Sequence, residues 1–146
     1  MSWSDSLIRI SNHEIEELQK RLKEIEDRRA AIEMTLDALD LEAEEEKLRA
    51  KVDPAVAWCH PDYVKGWKLR RARSESELEA VAMEAEGARD ALSRAFEELK
   101  KVEHVAELAK LERQREANKR ENAALDEIAL RQSFTSKSPS HTDKAR

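Results

Sequence analysis

The chain has 146 residues, of which 40% are charged and only 4% aromatic, with two glycines and three prolines. Ordinary globular domains contain about 25% charged residues and more glycine, so this composition excludes most enzymes and leaves a long-helix protein or disorder. The formal net charge of −5 gives no reason to expect non-specific attraction to nucleic acid or to anionic membranes.

The sequence also limits where the protein can work. No apolar run approaches the roughly 20 residues needed to span a bilayer. A single cysteine cannot form an internal disulfide, and the N-terminal residues lack the basic and apolar regions of a secretory signal. We therefore expect a cytoplasmic protein without direct membrane insertion.

The first predicted element is a long helix over about residues 4–53. Its apolar residues recur at alternating spacings of three and four, which is the pattern of a coiled-coil strand. Near the end of the helix a second, rotated row appears with Leu41, Leu48 and Val52. The main row comprises Ile8, Ile15, Leu18, Leu22, Ile25, Ile32, Leu36 and Leu39.

A break follows, and the predicted turn covers residues 54–61, between two prolines that cannot continue a helix. A second heptad row then predicts a helix over about residues 61–132, with Trp67 and Val81 among its seam positions. Residues 133–146 are rich in serine and threonine and have no periodicity, which indicates a disordered tail. The predicted fold class is all-α, an antiparallel two-helix coiled-coil hairpin with a C-terminal helical overhang.

The register of such a hairpin can be predicted, because the numbers of facing residues have a constant sum. A sum of 117 pairs Ile25 with Leu92 and Leu36 with Val81, whereas a sum of 110 places Leu39 against Arg71 and buries a charge. We therefore predict the register of 117, in which residues 117–132 have no partner on the first helix. The flanking charges support this register less clearly, because Glu26 and Arg89 could pair but Glu42 would lie near Glu77 and Arg49 near Arg70. Surface ion pairs contribute only about 0–1 kcal/mol each, so the core pairs decide the prediction.

The sequence offers no reaction centre. Cys59 and His60 have no second ligand pair at metal-binding spacing, and no glycine-rich nucleotide loop occurs. The many carboxylates of an exposed coiled coil stay solvated, which makes them poor general acids. We predict no catalytic residue, no metal site and no cofactor.

Three features differ from a uniform coiled coil. Trp58, Tyr63 and Trp67 cluster near the turn, where Trp67 either closes the seam opposite Ala50 or joins the other aromatics in binding a partner. A basic run over residues 65–73 is either neutralised by residues 42–46 or forms a binding patch. The overhang is either a frayed helix or is completed by a partner that takes its apolar residues as anchors. Those anchors are Leu125 and Ile128.

Several stretches carry a resemblance to a known family. They are residues 6–10 at the start of the first helix, residues 88–92, Phe96-Glu97, residues 99–107, and the ending Leu125-Asp126-Glu127-Ile128-Ala129. Together with the length and the overhang, they make the chain resemble FliJ, the coiled-coil protein of the bacterial flagellar type III export apparatus. That resemblance implies a structural likeness to the central stalk of rotary ATPases.

The resemblance also implies partners. FliJ-like proteins insert one end into the ring of the export ATPase and contact the cytoplasmic part of the export gate membrane protein, and escort of export chaperones is attributed to the family. The implied location is the cytoplasmic side of the inner-membrane export apparatus, and the free chain is expected to be a monomer. The implied ATPase-facing residues, with the two apolar anchors, form what we call the C-terminal surface: Arg113, Arg115, Lys119, Arg120, Leu125, Asp126, Glu127 and Ile128. The implied gate-facing residues form what we call the reversal surface: Trp58, Tyr63, Trp67 and Arg70.

Two other functions remain open from the sequence. A generic structural or chaperone-like coiled coil would pair its apolar rows between two chains and self-associate. A nucleic-acid binder would use the basic run over residues 65–73 and show steeply salt-dependent affinity, which we do not expect for an acidic chain.

Overall fold

A computed structural model describes residues 2–136, which form two α-helices, α1 (Trp3–Val52) and α2 (Pro54–Ser136). No strand occurs among the residues described. The two helices pack against each other in antiparallel directions, so the predicted all-α hairpin is confirmed. Two compact units divide the chain between Lys100 and Lys101, and the first unit contains α1 together with the part of α2 up to residue 100.

Both helices begin with a side chain that caps the free backbone N–H groups of the first turn. The Asp5 N–H donates to the Ser2 hydroxyl oxygen over 3.4 Å at the start of α1. The Ala55 N–H donates to the Asp53 carboxylate over 3.0 Å at the start of α2, where Pro54 occupies the first helical position. Asp53 is the single residue between the helices and has an extended backbone conformation.

The chain therefore reverses at Asp53, and the turn expected over residues 54–61 is instead the first two turns of α2. The physical reason is that an Asp-Pro pair supplies a helix cap followed by the residue that favours a first helical position. Pro61 lies within α2, where the absence of its N–H leaves the Ala57 carbonyl without its usual helical donor. The helix continues through this position.

The register of the first unit differs from the predicted one by a heptad. Ile25 forms the buried core with Val81, Ala85 and Ala88, whereas the predicted register paired Ile25 with Leu92. The buried seam residues of the two helices match in pairs whose numbers add to 110. These pairs are Ile15 with Ala95, Ile25 with Ala85, and Leu36 with Ser74.

Ion pairs at the edges of the seam support the same register. Arg28 pairs with Glu84, the Arg70 guanidinium lies 3.4 Å from the Glu42 carboxylate, and Arg89 lies 3.1 Å from Glu26. Their numbers add to 112 or 115, which are the sums that heptad geometry gives for the two flanks of a seam in register 110. The predicted pair of Glu26 with Arg89 is confirmed, and the predicted register of 117 is wrong.

The second unit consists of the remaining part of α2. Every residue from 110 to 136 is exposed. Residues 133–136, expected to belong to a disordered tail, are helical, and the rest of that predicted tail, residues 137–146, lies outside the described residues. Gly87, in the part of α2 that belongs to the first unit, has no packing reason to be glycine, because a methyl group at this position would meet no neighbouring atom within 4 Å.

Candidate functional site

The four residues of the reversal surface lie in the first five turns of α2 but have different surroundings. Trp58 is 86% exposed, so its large apolar side chain faces solvent. Tyr63 and Trp67 are half-buried, and Arg70 is held by Glu42. The aromatic cluster predicted from the sequence is thus divided into one outward-facing ring and two rings that belong to the hairpin.

Trp67 belongs to the seam. Its indole N–H donates to the backbone carbonyl of Leu39 over 2.6 Å, and the Arg71 guanidinium lies 5.9 Å from the centre of its ring. In the observed register Trp67 faces Ala43, a small residue that leaves room for the indole, and not Ala50 as expected. Trp67 therefore packs in the seam, as the first interpretation of the sequence has it, but not at its end, because Glu46, Ala50, His60 and Val64 are also partly buried nearer the reversal.

The basic run over residues 65–73 is partly neutralised across the hairpin, which agrees with the first of the two interpretations of the sequence. Arg70 pairs with Glu42, and Arg71 pairs with Asp40 at 2.8 Å and also with Glu75. The hydrogen bond from Arg71 is the main reason that the pKa of Asp40 is lowered. Asp40 and Glu75 were not identified from the sequence as partners of Arg71. Asp40 approaches Arg71 only in the observed register, and Glu75 lies one helical turn after it.

A cavity of about 370 Å³ lies beside the reversal and is lined by side chains of both helices. His60 and Tyr63 stack along its wall with their ring centres 6.1 Å apart. Burial, followed by the nearby carboxylate of Glu42, raises the pKa of Tyr63. Among the described residues no group of three or more His, Cys, Asp or Glu side chains is placed to hold a metal ion.

The raised pKa of Tyr63 gives a direct test of this environment, because Tyr63 is the single tyrosine of the chain. A raised folded-state pKa stabilises the fold below the ordinary value near 10, and this contribution is lost as the pH rises through the folded value. We expect the phenolate absorbance to appear at higher pH in the native chain than in the chain unfolded in urea. Glu42→Gln should lower the native midpoint, and coincident native and unfolded midpoints would contradict the assignment.

The C-terminal surface lies entirely on the second unit. All eight of its residues are exposed, with Leu125 at 56% and Ile128 at 50%. Glu127 forms an ion pair with Arg131 one turn later, at 2.9 Å. The structure thus presents these residues to solvent on a continuous helix, with two uncovered apolar side chains among them.

A span through a membrane requires a long apolar helical stretch, and neither helix contains one within residues 2–136.

Comparison with known proteins agrees with the resemblance seen in the sequence. The family model for the flagellar FliJ protein matches residues 5–138. The flagellar FliJ proteins of two Caulobacter vibrioides strains, NA1000 and CB 15, are each 52% identical to the chain over 129 residues, covering 88% of this chain and 93% of theirs. No solved structure matches the chain. A family match over nearly the whole sequence, on a helical hairpin of the expected kind, shows that the chain belongs to the flagellar FliJ protein family.

Proposed function

We propose that the chain is a non-enzymatic component of the flagellar export apparatus that couples the export ATPase ring to the membrane export gate. Family membership supports a role in flagellar export. Under this proposal the C-terminal surface binds the ATPase ring and the reversal surface binds the cytoplasmic part of the gate protein, which keeps the chain at the inner membrane. The observation that carries the ATPase contact is the exposed helix that bears the C-terminal surface.

The distribution of side chains around this helix favours a partner that surrounds it. At 100° per residue, Leu125 and Ile128 share one side of the helix. Arg113 and Arg120, seven residues apart, point to a second side, and Arg115 with Lys119 points to a third. A flat partner would contact one of these sides, whereas a ring can contact all of them. Leu130 and Phe134 add apolar side chains opposite to Leu125, and they are 60% and 76% exposed.

An apolar contact on this helix also has an energetic role. A single helix of this length is marginally stable in water without packing partners. Burying two large aliphatic side chains in a partner contributes about 1.5–3 kcal/mol for each one. Leu125 and Ile128 would therefore supply both affinity for the ring and order in the helix, while the surrounding charges fix its orientation.

The double variant Leu125→Asp with Ile128→Asp tests the ATPase contact. Since each tenfold change in affinity corresponds to about 1.4 kcal/mol, we expect the affinity for the cognate export ATPase to fall by more than about tenfold. Stimulation of ATP hydrolysis and of ring formation should fall with it. Binding is measured by pull-down and titration of the full chain, and hydrolysis by phosphate release.

A matched control replaces two exposed apolar residues of α2 that lie outside the C-terminal surface. Leu69 and Met83 are 74% and 70% exposed, and Leu69→Asp with Met83→Asp should leave ATPase binding unchanged. The thermal unfolding of the first unit should be the same in both double variants. The proposal would be refuted if the double variant of Leu125 and Ile128 bound the ATPase as tightly as wild type. It would also be refuted if the wild-type chain did not bind the ATPase. A wild-type chain that self-associates without binding the ATPase would instead support the generic coiled coil.

For the gate contact the structure favours Trp58 above the other three residues of the reversal surface. Its indole is exposed, whereas Trp67 and Arg70 are engaged within the hairpin. Exposed tryptophans are frequent anchors of protein interfaces. Trp58→Ala should therefore weaken binding of the cytoplasmic gate domain by more than about tenfold, since interface anchors contribute about 2 kcal/mol or more.

The Trp58→Ala experiment uses the full chain and the purified gate domain in a titration. Trp3→Ala is the matched control, because Trp3 is also exposed, at 57%, and lies outside the reversal surface. Unchanged gate affinity in Trp58→Ala, or an equal loss in both variants, would remove Trp58 from the proposed contact.

A further inference from the structure

The two turns of α2 before Pro61 are weakly supported by the rest of the hairpin. We call residues 54–60 the hinge segment, and apart from Val56 and His60 all of its residues are exposed. Pro61 has no N–H to donate to the Ala57 carbonyl, and the buried Nδ1 atom of His60 has no hydrogen-bond partner among the described residues. Exposure and unmatched polar groups are properties of a region that unfolds locally more readily than its surroundings.

The hinge segment has the length of one heptad. Pro54 and Pro61 are seven residues apart, and proline favours the first position of a helix in both places. Asp62 follows Pro61, where an acidic side chain interacts favourably with a helix N-terminus. A helix that begins at Pro61 would leave the hinge segment as a loop, which at up to about 3.3 Å per residue spans the roughly 10 Å between packed helices.

The observed seam sets polar side chains opposite leucines in two layers. Leu36 faces Ser74, which is buried at 9% exposure, and Leu39 is level with Arg71, whose side chain leaves the seam. A polar residue opposite a leucine removes less apolar surface from water than a second aliphatic side chain would. The apolar pairing of these layers is therefore incomplete in the register of 110.

A shift of α2 by one heptad completes the apolar pairing. The same faces of both helices stay in contact, because the heptad rows remain in phase. The shift moves α2 along α1 by about 10.5 Å and uses up the seven residues of the hinge segment. The facing residues then become Leu36 with Val81, Leu39 with Leu78, and Glu46 with Arg71.

Other contacts hold the free chain in the register of 110. The Trp67 indole N–H donates to the Leu39 carbonyl, Arg71 pairs with Asp40, and the Asp53 side chain caps α2. These contacts require either the register of 110 or the helical form of the hinge segment, so the shift exchanges them for apolar pairs. Two discrete packings of the same faces are the property of a bistable element.

We infer that the hairpin is a two-register device, in which the hinge segment unwinds up to Pro61 and α2 slides by one heptad along α1. The register of 110 is the ground state of the free chain, and the register of 117 gains when the hinge segment is held out of the helix. The segment carries Trp58, which is 86% exposed, so a molecule that binds it unwound would shift the equilibrium. The inference does not depend on the proposed function, because contacts within the hairpin define both states.

Spin labels at two exposed positions report the register without entering the seam. Lys20→Cys and Glu79→Cys, made in the full chain with Cys59→Ser, place one label on each helix. The slide carries residue 79 away from residue 20 along the helix axis, so pulsed electron–electron double resonance should show a distance longer by about 8–10 Å in the shifted state. With no further substitution the shorter distance should predominate.

Ala55→Gly with Ala57→Gly weakens the helical form of the hinge segment at two exposed positions. Because glycine disfavours a helix relative to alanine, the ratio of long to short distances should rise by about tenfold or more. Ala72→Gly with Ala80→Gly is the matched control, since both alanines are exposed on α2 and stay helical in either register. Adding Pro61→Ala to the hinge variant restores the missing N–H and should lower the ratio again.

The inference is overturned if the hinge variant shows the short distance alone, if the control gains the long distance equally, or if Pro61→Ala leaves the ratio unchanged. Val64→Glu decides the question if the hinge variant loses its helical circular dichroism signal. This change sets carboxylates at residues 46 and 64 on one level in the register of 110 but not in that of 117, so the long distance should appear again. Its absence in Val64→Glu would equally overturn the inference.

Discussion

A disulfide is expected to form readily between residues 25 and 85 when both are replaced by cysteine. In the observed register Ile25 and Ala85 lie in the same buried cluster, and facing seam positions are within the distance that a disulfide can bridge. Closing a loop of about 60 residues should stabilise the hairpin by about 4 kcal/mol, less the loss of Ile25 packing. Formation is measured by thiol titration and by mobility on a non-reducing gel.

The matched control joins residues 25 and 92, which the rejected register places face to face. Residue 92 lies seven residues from residue 85, or about 10.5 Å further along the helix axis, so Ile25→Cys with Leu92→Cys should remain reduced within one chain. Both pairs are made with Cys59→Ser, because Cys59 is an exposed thiol that could cross-link two chains. Ready closure of the 25–92 pair in place of the 25–85 pair would show that the register of 110 is wrong.

The one-heptad error has a simple physical cause. Heptad rows remain in phase after a shift of seven residues, so the choice between registers depended on the layer that places Leu39 against Arg71. A fully buried, unpaired arginine in that layer would be costly, but the Arg71 side chain leaves the seam and is 29% exposed. Its guanidinium reaches Asp40 and Glu75, while its methylene groups cover the seam. A long basic side chain can thus cover the seam with its methylene groups and still keep its charge paired at the surface. Pairing the sequence residue by residue could not predict this.

Other parts of the fold could be predicted because local signals carried them. The spacing of apolar residues predicted both helices, and Asp53-Pro54 marked the end of the first helix. The start of α2 was predicted at Pro61 because proline favours the first position of a helix. The helix instead begins at Pro54, so the predicted turn is wrong. Cap geometry, which decides between Pro54 and Pro61 as the start of α2, depends on the Asp53 side chain and appears only in three dimensions.

The sequence predicted the exposure of the C-terminal surface better than that of the reversal surface. The sequence identified Leu125 and Ile128 as apolar residues beyond the paired part of the helix, and the structure shows both exposed. It grouped Trp58 and Trp67 together, although their heptad positions differ and only Trp67 occupies a seam position. The sequence showed Leu41, Leu48 and Val52 as a second, rotated row, but the exposure of these residues depends on which face of α1 the hairpin buries.

Trp67→Ala is expected to destabilise the hairpin by about 3 kcal/mol. Removing a half-buried tryptophan leaves a gap opposite Ala43, and large aromatic-to-alanine changes in full cores cost about 3–5 kcal/mol. The variant also loses the indole hydrogen bond to the Leu39 carbonyl, which contributes about 1 kcal/mol. The Arg71 guanidinium loses its position over the ring as well. Urea unfolding followed by the helical circular dichroism signal measures the change.

Two further variants separate these contributions. Trp67→Phe keeps an aromatic ring but removes the N–H donor, so it should cost less than Trp67→Ala and leave the Leu39 carbonyl with its helical donor alone. Trp58→Ala removes an indole that is 86% exposed and should change the free energy of unfolding by less than about 0.5 kcal/mol. Equal destabilisation by Trp58→Ala and Trp67→Ala would contradict the seam position of Trp67. A large effect of Trp67→Ala alone would show that the Trp67 ring stabilises the hairpin and that the Trp58 ring does not.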